Sequence, residues 1–133
     1  MYVGIDLVEI ARIARSLANP RFLLRCFSEE ERAMFARRGT PPQTVAANFA
    51  AKEAFGKALG SGIRGFALGE VAVLRDGAGA PYLALSGAAR QLAEARGLAF
   101  SVSLTHTDTT AAAVVLAYPA PPGIPSDATT PRR

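Results

Sequence analysis

The sequence has one cysteine, Cys26, and one histidine, His106. A lone cysteine excludes an internal disulfide framework and suits a reducing compartment. One thiol and one imidazole also exclude a zinc site built from those two ligand types. Any metal would be held by oxygen donors, which points to magnesium, manganese or calcium. No apolar run reaches the ~18–20 residues of a membrane span. The opening Met1-Tyr2-Val3-Gly4-Ile5-Asp6 lacks the basic-then-apolar order of a signal peptide. The expectation is therefore a cytoplasmic chain with no membrane partner. Nor does any stretch interleave aromatics with lysine and arginine, as single-strand binding surfaces do. That argues against nucleic acid, although charge alone keeps a basic nucleic-acid-binding domain as a rival.

What is present fits an ordinary folded domain. Half of the 133 residues are hydrophobic and one fifth are charged, enough for a core of its own. Fifteen basic residues against eleven acidic ones give a net charge of +4, with an isoelectric point near 9.8. Such a balance favours an anionic partner without naming it.

Residues 2–7 read as a short buried strand, with Asp6 near its end. Ile10, Ile13, Ala14 and Leu17 recur at helical spacing and predict a helix over 8–19. Pro20 opens a second helical stretch, with Phe22, Leu23, Cys26 and Phe27 the candidates for burial. Ser28-Glu29-Glu30-Glu31 has the form of a capping box, so a third helix runs to about Arg38 and stops at Gly39. A long helix is expected over 43–59. Strands over 70–75 and 81–85 flank Asp76-Gly77-Ala78-Gly79, a hairpin turn. Ser86 is placed to cap a helix over 87–96. Phe100, Val102 and Leu104 then alternate with Ser101, Ser103 and Thr105, a strand with one apolar and one hydroxylated face. A last strand covers 110–118. The order β-α-α-α-α-β-β-α-β-β predicts an α+β fold with a mainly antiparallel or mixed sheet. Residues 1–118 make the domain, and the proline-rich residues 119–133 a flexible tail.

Three places carry possible chemistry. The run from Asn48 to Gly62 sets Lys52, Glu53 and Lys57 on an alanine-rich helix that ends in Gly60-Ser61-Gly62. At 100° per residue, Ala51, Phe55, Ala58 and Leu59 share a core-facing sector, while Glu53 and Lys57 lie together on nearly the opposite side. That edge suits a divalent cation and a phosphorylated ligand, or else a plain surface pair worth ~0.3–0.5 kcal/mol. Asp6 ends an apolar strand, where a carboxylate is costly without a charged partner; it either caps the next helix or joins Glu53 around a magnesium ion. The strip Ser103-Leu104-Thr105-His106 offers hydroxyls and an imidazole to a phosphate or a base edge, or is simply a strand end turning a corner.

Taken together, Gly4-Ile5-Asp6-Leu7-Val8-Glu9-Ile10-Ala11-Arg12-Ile13, then Phe49-Ala50-Ala51-Lys52-Glu53-Ala54-Phe55 continuing to Lys57-Ala58-Leu59-Gly60-Ser61-Gly62, then Val102-Ser103-Leu104-Thr105-His106 resemble the holo-[acyl-carrier-protein] synthases. These are the small bacterial branch of the 4′-phosphopantetheinyl transferases. The resemblance spans about residues 2–118 and includes Pro81-Tyr82 of the hairpin. It implies transfer of the phosphopantetheine arm of coenzyme A to a serine of an acyl carrier protein, a step of fatty acid and lipid metabolism. It implies Mg²⁺ on Asp6 and Glu53, with Asp6, Glu53 and Lys57 as catalytic residues. It further implies a coenzyme A pocket lined by Lys52, Lys57, Gly60, Ser61, Gly62, Ser103, Thr105 and His106, and a homotrimer with sites shared between chains. An acidic carrier would dock on Arg12, Arg21 and Arg25. Asn48 departs from the pattern, since many members have an arginine there, near the 3′-phosphate of coenzyme A. The alternative is a non-catalytic module that binds coenzyme A or the carrier.

Overall fold

The computed structural model describes residues 1–122. Eight residues, Tyr2–Glu9, form strand β1; four helices follow, α1 (Ile10–Ser16), α2 (Pro20–Cys26), α3 (Glu29–Arg37) and α4 (Pro42–Leu59). A short 3₁₀ turn at Leu68–Glu70 leads into β2 (Val71–Arg75) and β3 (Pro81–Leu85), then α5 (Gly87–Ala95), β4 (Leu98–His106) and β5 (Thr110–Pro119). Two antiparallel sheets result, one of order β1-β5-β4 and one the β2-β3 hairpin. The α+β class and the element order are as the sequence predicts.

Helix α4 is the axis of the molecule. Thirteen of its eighteen residues are buried, so it is enclosed on most sides instead of showing one apolar stripe. Alanine makes this possible. A Cβ added at Gly4 of β1 would stand 2.0 Å from the Ala54 carbonyl oxygen and 2.8 Å from the Ala58 nitrogen. The sheet therefore lies directly on the helix backbone, a contact that only glycine facing alanine permits. Around this contact, Phe55 packs on Phe66 and Phe100 at 5.2 and 4.8 Å, and Phe27 meets Phe35 edge-on at 5.1 Å. Such aromatic pairs add ~0.5–1.5 kcal/mol beyond their area.

Three expectations need correction. β1 is not buried on both faces. Gly4 and Val8 face α4, whereas Val3, Ile5 and Leu7 are 63%, 62% and 69% exposed. Strand alternation forces this, because the close approach to α4 uses the even positions. The first helix begins at Ile10, not Val8, because Val8 and Glu9 remain paired with Ala111 and Thr110. Ser86 makes no side-chain cap; the Glu70 carboxylate instead accepts from the Ala88 N–H at 2.9 Å. By contrast the Ser28 capping box is present in both directions, with Glu31 N–H to Ser28 Oγ at 3.1 Å and Ser28 N–H to Glu31 Oε1 at 3.0 Å.

At the far end β5 runs through Pro119, and the Ala120 N–H donates to the Gly97 carbonyl at 2.8 Å. The remainder of the expected tail, residues 123–133, lies outside the described residues.

Candidate active site

The charged edge of α4 meets β1 at Asp6. Strand alternation turns Asp6 to the same side as Gly4 and Val8, toward the helix, and the close packing at Gly4 brings it to Lys57. The Lys57 ammonium donates to Asp6 Oδ1 at 3.1 Å and to the Ile5 carbonyl at 2.9 Å. The Asp6 side chain is 17% exposed and that of Lys57 53%. Glu53, one turn before Lys57, lies close enough to feel both. Partial burial raises its pKa, and the Asp6 carboxylate raises it further, while Arg12 and Lys57 pull it back down. Two carboxylates therefore converge with one ammonium between strand and helix. Such an arrangement sets two carboxylates against the Lys57 ammonium and the Arg12 guanidinium at a partly buried edge, the kind of place where perturbed carboxylates gather.

The helix ends just beyond. Gly60 caps α4 in the left-handed region at φ 82°, and the N–H groups of Ser61 and Gly62 return to the Gly56 carbonyl at 3.2 and 3.0 Å. A Cβ at Gly56 would meet the Gly62 carbonyl oxygen at 2.1 Å, so the turn is clamped onto the helix. Lys57 and Gly60 line a cavity of about 760 Å³ with Tyr2, Leu59, Arg96 and Leu98. Lys57 thus borders both the carboxylates and an open concavity.

Lys52 lies elsewhere. Its side chain is fully buried and its ammonium donates to Glu31 Oε1 at 2.6 Å and to the Leu68 and Val71 carbonyls at 2.9 and 2.7 Å. Those three acceptors use every proton it has. Its expected contact with a cofactor is thereby corrected: Lys52 and Glu53 are consecutive, and the 100° of helical rotation between them sends the lysine into the core. Glu31, in turn, accepts from Asn48 at 3.0 Å. Sequence reading missed this network, although a glutamate in a capping box ahead of an otherwise apolar lysine face was a signal for it.

The strip at the end of β4 borders two separate concavities. Ser103 pairs with Val114 on the outer face and lines a shallow depression of about 250 Å³ there. Thr105 and His106 instead border a groove of about 260 Å³ with Gln43, Thr44, Arg75 and Pro81. The expected arginines are all exposed. Arg12 stands 5.8 Å over the Phe49 ring, on the side of α4 that carries Glu53, whereas Arg21 and Arg25 belong to α2.

The chain belongs to the 4′-phosphopantetheinyl transferase superfamily, whose model matches residues 2–115. A holo-[acyl-carrier-protein] synthase of Treponema denticola is 46% identical over 116 residues, covering 86% of this chain and 94% of that protein. The crystal structure of the Neisseria meningitidis holo-[acyl-carrier-protein] synthase superposes with a TM-score of 0.82 at 33% identity, covering 88% of this chain and 97% of that one. The Helicobacter pylori enzyme in complex with coenzyme A gives 0.76 at 29% identity, over 87% and 99%. Within the superfamily, the chain falls in the holo-[acyl-carrier-protein] synthase branch, and it is a phosphopantetheinyl transferase enzyme. No helix among the described residues is long and apolar enough to cross a membrane.

Proposed function

We propose that the protein moves the 4′-phosphopantetheine group of coenzyme A onto a serine of an apo acyl carrier protein, with Mg²⁺, releasing adenosine 3′,5′-bisphosphate. The observation that carries this reading is the convergence of Asp6, Glu53 and Lys57 where β1 crosses α4. Attack by a serine hydroxyl on a phosphoanhydride needs growing negative charge neutralised, reacting oxygens held in line and one proton removed. Asp6 and Glu53 suit a magnesium ion, being hard oxygen donors that would leave substrate phosphates and water to complete the shell. Bound there, the ion would neutralise pyrophosphate charge.

The remaining work falls to this chain's own side chains. Glu53 takes the serine proton through a water, and its raised pKa moves it toward the range where a general base is effective. Lys57 faces the departing phosphate, and its hydrogen bond to the Ile5 carbonyl fixes its height above β1. The Gly60-Ser61-Gly62 turn and the groove at Thr105 and His106 receive the rest of coenzyme A. Arg12, Arg21 and Arg25 steer the acidic carrier toward Asp6. One buried cysteine suits reducing surroundings, and we place the reaction in the cytoplasm.

A homotrimer with shared sites completes the reading. Val3, Ile5 and Leu7 pair with Leu116, Val114 and Ala112, so an apolar sheet face stands uncovered in the single chain. Monomeric proteins rarely leave such a face open, and a neighbouring subunit is its natural cover. Light scattering should give three times the chain mass, and an active monomer would contradict it. The test of function is mass spectrometry of apo carriers mixed with the protein, coenzyme A and Mg²⁺. The expected result is a gain of one phosphopantetheine. No gain on several carriers would favour a binding module instead.

A further inference from the structure

Arg75 is a half-buried cation at the end of β2, and among the described residues no carboxylate forms an ion pair with it. Its guanidinium donates to Asn48 Oδ1 at 3.0 Å, with a longer contact to the Leu74 carbonyl at 3.4 Å. Asn48 has little freedom in this. Its amide nitrogen donates to Glu31 Oε2 and to the Val73 carbonyl, both at 3.0 Å, so its oxygen must point at Arg75. The chain Lys52, Glu31, Asn48, Arg75 therefore runs from the core to the surface and fixes the guanidinium where it emerges.

The guanidinium emerges between two concavities. On one side is the groove of about 260 Å³ with Thr44, Thr105 and His106. On the other is a depression of about 430 Å³ that Arg75 shares with Arg37, Arg38, Tyr82 and the carboxylate of Glu30. We propose that Arg75 anchors a phosphate monoester, the terminal dianion at the nucleotide end of the donor. In this view position 48 does not touch the phosphate. It orients the arginine that does. Thr44, Thr105 and His106 supply polar groups around the same groove. Burial lowers the pKa of Arg75 and the neighbouring Arg38 lowers it further, with the Glu31 carboxylate pulling the other way, so an arriving anion would gain a desolvated cation. The proposal rests on the reading that coenzyme A is the donor.

The test separates the two. Adenosine 3′,5′-bisphosphate and adenosine 5′-monophosphate are titrated calorimetrically into the wild-type protein and into Arg75→Gln and Arg75→Lys. The wild type should prefer the bisphosphate by roughly tenfold or more, the scale of one charge-assisted pair. Arg75→Gln should lose that preference while holding the monophosphate as before, and Arg75→Lys, which keeps the charge but not the fork, should retain part of it. Undiminished preference in Arg75→Gln would overturn the assignment. So would an equal weakening of both ligands, or a wild type indifferent to the second phosphate. Melting curves establish folding, and should Arg75→Gln not fold, unchanged preference in Arg75→Lys would count against the assignment. If the preference depends on Arg75 yet no carrier gains phosphopantetheine, the transfer reading fails and the anchor stands.

Discussion

Lys52 and Glu53 are neighbours in sequence and opposites in the fold. On one side of α4, Lys52 is sealed with Glu31, and every donor and acceptor of the pair finds a protein partner. On the other, a half-exposed Lys57 holds Asp6, and Glu53 beside them is raised by partial burial and the Asp6 charge against the pull of Arg12 and Lys57. Both sides use a carboxylate and an ammonium. What differs is whether water and ligands can reach them. A closed pair ties α3, α4 and β2 together; an open one keeps capacity for a reaction.

The comparison breaks most severely at Lys52. Lys52→Met leaves the Glu31 carboxylate buried without its cation, and a stability loss of about 3–5 kcal/mol is expected in denaturant titrations. Adding Glu31→Gln should restore part of it, since the uncompensated charge is gone. A Lys52→Met protein of normal stability but weakened coenzyme A binding would reassign Lys52 to the ligand.

On the open side the effects reverse. Asp6→Asn or Glu53→Gln should cut turnover by on the order of 10²–10³ with little change in melting temperature, because the repulsion between the two carboxylates and their partial burial offset what each gains from Lys57. Wild-type turnover in either variant would remove that residue from the mechanism. A smaller effect is expected at Arg12. Arg12→Glu should raise the KM for the carrier roughly tenfold and leave that for coenzyme A nearly unchanged. The carrier term should weaken with added salt; equal effects on both substrates would make Arg12 an ordinary surface residue.

The finest distinction is in pH. Glu53 carries a raised pKa, so the folded chain binds that proton more tightly than the unfolded chain. Stability from this group is thus greatest below the ordinary glutamate value of 4.5 and falls as pH climbs through the raised value. The melting temperature of Glu53→Gln, minus that of the parent, should widen across that interval and level off above it. A flat difference would mean that Glu53 titrates as it does in the unfolded chain.

Much of this was legible in the residues themselves. Periodicity and caps determined nearly every element, because Ser28-Glu29-Glu30-Glu31 and Asp76-Gly77-Ala78-Gly79 act over a few residues and need no distant partner. Helical spacing put Glu53 and Lys57 on one edge and Ala51, Phe55, Ala58 and Leu59 in the core, and each is found there. Tertiary structure decided the rest. Only the contact of Gly4 with Ala54 and Ala58 carries Asp6 to Lys57, leaves Val3, Ile5 and Leu7 outward and sets the face of β1 that any partner must cover. Only the burial of Glu31 takes Lys52 out of the site and directs Asn48 to Arg75. Local sequence specifies what a few neighbouring residues can satisfy alone, whereas the fate of a charge depends on which distant groups fold around it.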